Sequence, residues 1–286
     1  MLLLKAPRRK IKPRADLYNV FPPKRAFMFL PIRDDNPHTI TPYVNYGLIA
    51  ACALAFLWQL SLGEESGQAA VLAFGLIPGR LFGTITLESN PSSVPAILTI
   101  FTSMFLHGGW MHFLGNMLYL WIFGDNIEAS LGHKRYLAFY LLCGVAAALG
   151  QSIAVPSSDI PMIGASGAIA GVLGAYLVLH PRSNIKVFVF LIFITTINVP
   201  AFIVLGFWFV GQLISSAAAN PAAPGVAFMA HIGGFVFGAA MVVFFRQRFV
   251  QVFAPAQSRA FAVERRPYRR GSVPDAGRRD PPGPWG

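Results

Sequence analysis

Residues 226–245 read VAFMAHIGGFVFGAAMVVFF, a run of twenty residues without a charged side chain other than the titratable His231. An α-helix needs about 20 consecutive apolar residues to cross the hydrocarbon core of a bilayer. This stretch meets that requirement from end to end. It predicts a membrane-spanning helix, and it predicts that the rest of the chain is organised around a bilayer.

The remainder of the chain has the same apolar character. Apolar residues make up 55% of the 286 positions and charged residues 12%, against about 25% charged residues in soluble proteins. The spans predicted by length are 43–62, 111–127, 136–155, 166–180, one within 187–215, and 226–245. Asn198 and Pro200 interrupt the fifth stretch and leave its start open. The expected fold is an all-α membrane protein, a bundle of six transmembrane helices with a large structured first loop.

Charge is concentrated at the two ends of the chain. Residues 1–42 carry nine Lys/Arg and three Asp/Glu, and residues 246–286 repeat those counts. The second and fourth connections carry further positive charge, at Lys134, Arg135, Arg182 and Lys186. Because positive residues collect on the cytoplasmic side, both termini are predicted to be cytoplasmic. Basic segments beside apolar spans favour anionic lipid headgroups, rather than nucleic acid, as their partner.

These patterns divide the chain into three parts. Residues 1–42 form a basic N-terminal segment, residues 43–247 the transmembrane domain, and residues 248–286 a basic tail. The tail is rich in Pro, Gly and Arg, a composition that cannot bury a core, so it is expected to be disordered.

Ser166 is the first polar residue at membrane depth that could have a function, since such residues are costly in a bilayer. It lies in the run Ile163-Gly164-Ala165-Ser166-Gly167-Ala168. Glycines on both sides allow a sharp turn and bring backbone donors close to a reacting carbonyl group. Gly, Ala and Ser are also the ordinary packing residues of membrane helices, so this motif alone leaves helix packing as an alternative.

A serine hydroxyl is a weak nucleophile until a base takes its proton, and His231 is the candidate base. Gly234 and Gly238 share a helical face with His231, and Gly167 belongs to a matching stripe of small residues on the fourth span. Two such faces can pack with their backbones nearly touching, which would bring Ser166 and His231 together. For His231 alone, an interhelical hydrogen bond, a metal ligand and a proton relay are alternatives.

His112 and Asn116 lie four residues apart in the second span, on one helical face. Both side chains can donate hydrogen bonds to the oxyanion that serine attack on a carbonyl creates. His107 precedes them near the membrane boundary and could support the same cluster. The alternatives are a structural role for His107 and helix–helix hydrogen bonding for Asn116.

Missing residue types narrow the chemistry further. The predicted spans contain no Glu or Lys, and their one Asp, Asp125, lies at the cytoplasmic end of the second span, so a serine–histidine dyad without a carboxylate is expected. The sequence has neither an HExxH motif nor paired intramembrane aspartates. Cys52 and Cys143 have no metal-ligand spacing. No metal or organic cofactor is expected.

Three of these motifs, in this order, resemble the rhomboid intramembrane serine proteases. The matching residues are His112 with Asn116, Gly164-Ala165-Ser166-Gly167, and Ala230-His231 with Gly234 and Gly238, within about residues 43–247. The stretches 73–80 and 121–128 also resemble bacterial members of the family. A Trp-Arg pair found in the first loop of some members is missing, which leaves the role of Arg80 open.

The resemblance implies roles for these residues. Ser166 would be the nucleophile, His231 the general base and acid, and His112 and Asn116 oxyanion donors beside the Ser166 backbone N–H. The activity implied is hydrolysis of peptide bonds in or near transmembrane segments of other proteins. Six spans without a transit-like N-terminus favour a bacterial cytoplasmic membrane. The rival hypotheses are a non-catalytic client-binding protein and a channel lined by His107, His112 and His231.

Overall fold

The computed structural model describes residues 9–11, 28–37, 39–87, 94–190, 194–219, 225–256, 258 and 260. The helices are α1 (Tyr43–Ser61), α2 (Glu64–Phe74), α3 (Pro78–Leu81), α4 (Thr99–Thr102), α5 (Trp110–Leu131), α6 (His133–Ala154), α7 (Ser166–Leu179), α8 (Ala201–Ala218) and α9 (Phe228–Phe245). The strands are β1 (Arg9–Ile11), β2 (Met28–Asp34), β3 (Ile85–Leu87), β4 (Asn184–Phe190) and β5 (Ile194–Pro200).

The expected helical membrane bundle is confirmed, with α1, α5, α6, α7, α8 and α9 at the six predicted spans. By length and apolar composition α1, α6, α8 and α9 can each cross a membrane. α5 meets the same criterion only together with Ala96–Phe105, from which it is bent by 82°. α7 is apolar but has only 14 residues. At about 1.5 Å per residue it is too short to cross a hydrocarbon core of about 30 Å by itself.

In the described part of the first loop, Arg80 connects two segments of the chain. The Arg80 guanidinium donates to the carbonyl oxygens of Ala73 at 3.4 Å and Val94 at 2.5 Å, joining two distant parts of the loop. The Gly79 N–H donates to the Ser158 carbonyl at 2.9 Å, which fastens the loop to the α6–α7 connection. The role of Arg80, which the sequence left open, is therefore to connect two segments of the loop.

The fifth apolar stretch contains two kinds of structure, where the sequence predicted one helix with an open start. β4 and β5 pair as an antiparallel hairpin, and α8 begins only after Pro200. Side chains of β4 alternate, with Ile185, Val187 and Val189 buried and Lys186 less so, the period of a strand with one covered face. These strands are an addition to the expected helical fold.

The N-terminal segment takes part in this sheet, because β2 pairs antiparallel with β4 in the order β2-β4-β5. Asp34, at the end of β2, accepts hydrogen bonds from the Tyr176 hydroxyl of α7 at 2.5 Å and from the Asn126 amide at 2.7 Å. Burial raises the pKa of the Asp34 carboxyl to about 7. Residues 28–37 are therefore part of the folded unit.

β1 pairs in parallel with β3 of the first loop. That loop lies at the Ser166 end of α7, whereas β2 contacts the opposite end through Tyr176. The pairing disagrees with the prediction that all of residues 1–42 lie in the cytoplasm. Because moving the nine Lys/Arg of residues 1–42 across a bilayer is costly, the cytoplasmic location of that segment stays a prediction from its charge.

The start of α1 is held by a carboxylate of α5. Glu128 is fully buried and accepts the backbone N–H groups of Val44 at 3.0 Å and Asn45 at 2.7 Å. An anionic acceptor at a helix N-terminus satisfies free donors and is favoured by the helix dipole.

The C-terminal tail begins later than predicted. The backbone N–H groups of Phe253 and Ala254 donate to the last two carbonyl oxygens of α7, at 2.9 Å each. The expectation of disorder from residue 248 onward is therefore wrong for residues 248–256, because the end of α7 needs donors that this segment supplies. Residues 261–286 lie outside the described part of the chain.

Candidate active site

The site is built on the interface between α7 and α9, where the two backbones touch. A Cβ added to Gly234 would lie 2.1 Å from the carbonyl oxygen of Gly167, and one added to Gly238 would lie 2.1 Å from that of Gly171. Such distances leave no space for any side chain. Small residues are what permit this approach of two membrane helices.

This packing brings Ser166 and His231 together, although they are 65 positions apart. The Nε2 atom of His231 lies 2.8 Å from the Oγ of Ser166, a normal hydrogen-bond distance. Ser166 is the first residue of α7 and His231 lies in the first turn of α9. Both side chains belong to helices, so their separation is fixed by helix packing rather than by loop conformation.

Gly164 shapes the turn that leads into Ser166. Its φ is +123°, a backbone conformation that side chains disfavour, and an added Cβ would lie 2.6 Å from the Nε2 of His112. Its backbone N–H donates to the Ser103 carbonyl at 2.8 Å. Glycine is therefore required at position 164 both by the turn and by the closeness of His112.

His112 presents a hydrogen-bond donor to the turn before Ser166. The Gly108 backbone N–H donates to its Nδ1 at 3.3 Å, so Nδ1 acts as an acceptor. The hydrogen of a neutral imidazole then lies on Nε2, the atom next to Gly164. Its side chain thus points a donor toward the place where the carbonyl group of a substrate would approach Ser166.

Asn116 supplies a second donor at the same place. It is 7% exposed, and its Nδ2 has no hydrogen-bond partner within the described part of the chain. Buried amide donors are normally paired, and an unpaired one is a mark of a functional site. The same Nδ2 lies 3.6 Å from the position of a Cβ on Gly164, one helical turn from His112.

His107 supports this pair from behind rather than joining it. Its ring lies edge-on to that of His112, with centroids 5.3 Å apart, and its Nδ1–H donates to the Phe105 carbonyl at 3.1 Å. His107 therefore acts as a packing partner of His112.

A cavity of about 360 Å³ lies between these helices. Its wall includes Ser166, His231, His112 and Asn116, and the rest is mainly apolar, with residues such as Met104, Ala147, Met162 and Ile163. An apolar cavity with a few convergent polar groups is the usual form of a binding site. All four of the predicted site residues are thus brought together.

Gln212 of α8 is a neighbour of His231 that was not predicted from the sequence. The Nδ1 of His231 lies 2.7 Å from the Oε1 of Gln212 in α8, and the ring of Trp208, one turn earlier in α8, lies 5.9 Å from the imidazole. A polar residue in an apolar span was the available signal. An amide has no charge, so Gln212 stands out less in an apolar span than a carboxylate would.

Metal ligation has no support among the residues described. They contain no group of three or more His, Cys, Asp or Glu side chains that could hold a metal ion. Cys52 and Cys143 are buried free thiols.

These features define a class of protein, namely a multi-pass membrane protein with a hydrogen-bonded serine–histidine pair on the wall of a cavity. The sequence matches the Rhomboid domain over residues 95–248. The chain belongs to the rhomboid family, and the resemblance of its motifs to that family is confirmed.

Three relatives illustrate the similarity. The chain is 35% identical over 197 residues to the rhomboid protease GluP of Bacillus subtilis, which covers 69% of this chain and 34% of GluP. It is 27% identical over 207 residues to the mitochondrial presenilin-associated rhomboid-like protein of Mus musculus, 71% of this chain and 48% of the relative. It is 35% identical over 101 residues to the mitochondrial Rhomboid protein 1 of Saccharomyces cerevisiae, 34% and 29% respectively. Each match spans less than half of the relative.

Proposed function

We propose that this chain is an intramembrane serine endopeptidase that hydrolyses peptide bonds in or near transmembrane segments of other membrane proteins. The observation that carries the proposal is the 2.8 Å contact between Ser166 Oγ and His231 Nε2, on the wall of a cavity that also presents the unpaired amide of Asn116. A hydroxyl next to a base, with free donors close by, is the arrangement that acyl transfer needs.

In the first step, His231 Nε2 takes the proton of Ser166 Oγ while that oxygen forms a bond to the carbonyl carbon of the substrate. The carbonyl oxygen becomes an oxyanion. His112 Nε2–H, Asn116 Nδ2–H and the Ser166 backbone N–H would donate to it, the last because N–H groups in the first turn of a helix have no partner inside the helix.

In the second step, the bond between the carbonyl carbon and the nitrogen breaks, and His231 gives its proton to the leaving amine. An acyl-enzyme on Ser166 remains. A water molecule then gives a proton to His231 and attacks the carbonyl carbon. The bond to Ser166 Oγ breaks and the proton returns to Ser166, so the pair is regenerated without a cofactor.

Membership of the rhomboid family implies that the substrates are transmembrane proteins that reach the cavity within the bilayer. We further propose that the chain resides in the cytoplasmic membrane of a bacterium with both termini in the cytoplasm. The names of two compared relatives place those proteins in mitochondria, so an organellar membrane is the alternative. Labelling of cysteines introduced near residues 40 and 250 from each side of sealed vesicles tests the orientation.

The proposal is tested by cleavage of a fluorogenic transmembrane peptide in liposomes. We expect Ser166→Ala to abolish cleavage and to leave the thermal unfolding of the purified protein unchanged. Ser61→Ala, which alters an exposed serine at the end of α1, is the matched control and should keep full activity. Full residual activity of the Ser166→Ala variant would rule out the serine mechanism.

The two rivals differ in measurable ways. A non-catalytic client-binding protein would retain the peptide without cutting it, in the wild type as well as in the variant. A channel would pass protons or ammonium in a manner that depends on His107, His112 and His231 and not on Ser166.

A further inference from the structure

We propose that Gln212 is a positioning residue that orients the base His231, so that the reacting unit is an amide–imidazole–hydroxyl chain rather than an isolated dyad. This inference rests on the proposed function and adds a residue to its machinery. Its starting point is the 2.7 Å distance between Gln212 Oε1 and His231 Nδ1.

The amide oxygen determines which imidazole nitrogen carries the hydrogen. An amide oxygen accepts a hydrogen bond and cannot donate one, so the Nδ1 of His231 must be the donor. In a neutral imidazole Nε2 then has the free lone pair. That lone pair faces Ser166 Oγ at 2.8 Å, as a base must. The opposite tautomer would place a hydrogen on Nε2 and prevent proton transfer from Ser166.

Gln212 also fixes the plane of the ring together with its neighbour Trp208. The two residues lie one helical turn apart on α8, and the Trp208 indole packs at 35° to the imidazole. His231 is thus contacted by a hydroxyl on α7 and by an amide and an indole on α8. His112 of α5 is the other imidazole on the wall of the same cavity, and its Nδ1 accepts the backbone N–H of Gly108.

An amide differs from the carboxylate of a serine–histidine–aspartate triad in one respect. It orients the ring and selects the tautomer, but it has no charge with which to stabilise the imidazolium. Loss of the carboxylate partner of such a histidine, with the wrong tautomer as a result, lowers kcat about 10⁴-fold. We therefore expect a smaller loss here, about 10- to 100-fold, the range found for residues that orient a metal-bound imidazole by the same kind of hydrogen bond.

The kinetic test compares Gln212→Met, which removes the acceptor at similar volume, with Gln212→Glu, which keeps an oxygen at the same reach. We expect Gln212→Met to lower kcat about 10- to 100-fold with KM within a factor of about 2. Gln212→Glu should restore kcat to within about fivefold of wild type, because the acceptor is kept. Gln251→Met, at an exposed position, is the matched control. Wild-type kcat in Gln212→Met, or no rescue by Gln212→Glu, overturns the inference.

A second measurement does not depend on activity. Nitrogen chemical shifts of ¹⁵N-histidine-labelled protein report the tautomer, and the His231 signals are identified by their loss in His231→Gln. We expect His231 to carry its hydrogen on Nδ1 in the wild type and to show a mixture of tautomers in Gln212→Met. A wild-type His231 with its hydrogen on Nε2 overturns the inference. A protein that shows the expected tautomer and cleaves nothing would count against the proposed function alone.

Discussion

α7 and α8 are neighbours of the same histidine, but they are packed in very different ways. Eleven of the 14 residues of α7 are buried, and α9 lies against it with backbone in contact. Only Ala201 and Leu205 are buried among the 18 residues of α8. Large apolar side chains such as Phe207 and Ile214 are exposed on α8 and available to lipid.

The difference indicates that the two helices have separate roles at the site. The reacting atoms of Ser166 and His231 belong to the closely packed pair, where a shift of a few tenths of an ångström is opposed by backbone contacts. The contacts that orient His231 come from α8, which can be altered without loss of the core. Substitutions of the glycines between α7 and α9 should therefore lower stability and activity together, whereas substitution of Gln212 on α8 should lower activity with little change in stability.

The largest effect is expected from Gly238→Ala, which disrupts the close packing of α7 against α9. The new Cβ would lie 2.1 Å from a backbone oxygen of α7, so the helices must separate. We expect loss of activity and a decrease in the free energy of unfolding of about 3 kcal/mol, the upper end of ordinary overpacking. Thermal unfolding in detergent and peptide cleavage measure both. Wild-type stability would contradict the packing account.

The next largest effect is expected from Asn116→Ala, which leaves both helices in place and removes one donor. Loss of a single oxyanion donor typically lowers kcat about 10²- to 10³-fold. We expect this decrease with unchanged thermal unfolding, because the Nδ2 has no partner in the described structure. If kcat changes by less than about threefold, Asn116 serves only in helix–helix hydrogen bonding, which is the alternative given for it from the sequence.

A moderate effect is expected at the other end of α7, where Asp34 of β2 accepts the Tyr176 hydroxyl. The pKa of Asp34 is raised from 3.8 to about 7 in the folded protein, chiefly by burial. Its contribution to stability is therefore fully present below about pH 4, falls as the pH rises, and is lost above about pH 7. The protection factors of residues 28–34, which are exchange rates corrected for the intrinsic rise of exchange with pH, should be higher at pH 5 than at pH 8.

Asp34→Asn provides the control for that titration. The amide cannot ionise, so the difference in protection factor between pH 5 and pH 8 should largely disappear from β2. An unchanged pH dependence in Asp34→Asn would assign the effect to another group.

The smallest effect is expected from Gly206→Ala in α8, the counterpart of Gly238→Ala. No described atom lies within 4 Å of the new Cβ. Replacing a helical glycine by alanine in open space should raise stability by about 0.5–1 kcal/mol. Activity should stay within twofold of wild type. A loss as large as that of Gly238→Ala would show that α8 is as closely packed as α7.

The sequence predicted the bundle well because apolar length is a direct measure of a span. It also predicted the meeting of Ser166 and His231, because stripes of small residues on two helices indicate close packing. It did not predict the β4–β5 hairpin, since a short apolar run has the same composition in a strand as in a buried helix. Nor did it predict that β2 completes a sheet, because the pairing partner lies about 150 residues away.

Gln212 was missed for a different physical reason. It lies 19 positions before His231, on another helix, and nothing in the order of residues indicates that the two helices meet at that point. A single amide in an apolar span has no spacing pattern of its own. Only the angle at which α8 crosses α9 brings it to Nδ1.

A fluorophosphonate probe shows whether Ser166 is a nucleophile activated by His231. The adduct is located by mass spectrometry of the full chain in detergent. We expect an adduct on Ser166 in the wild type, none in Ser166→Ala, and a strong decrease in His231→Ala. A wild-type protein without the adduct, or an adduct that persists in Ser166→Ala, would contradict it.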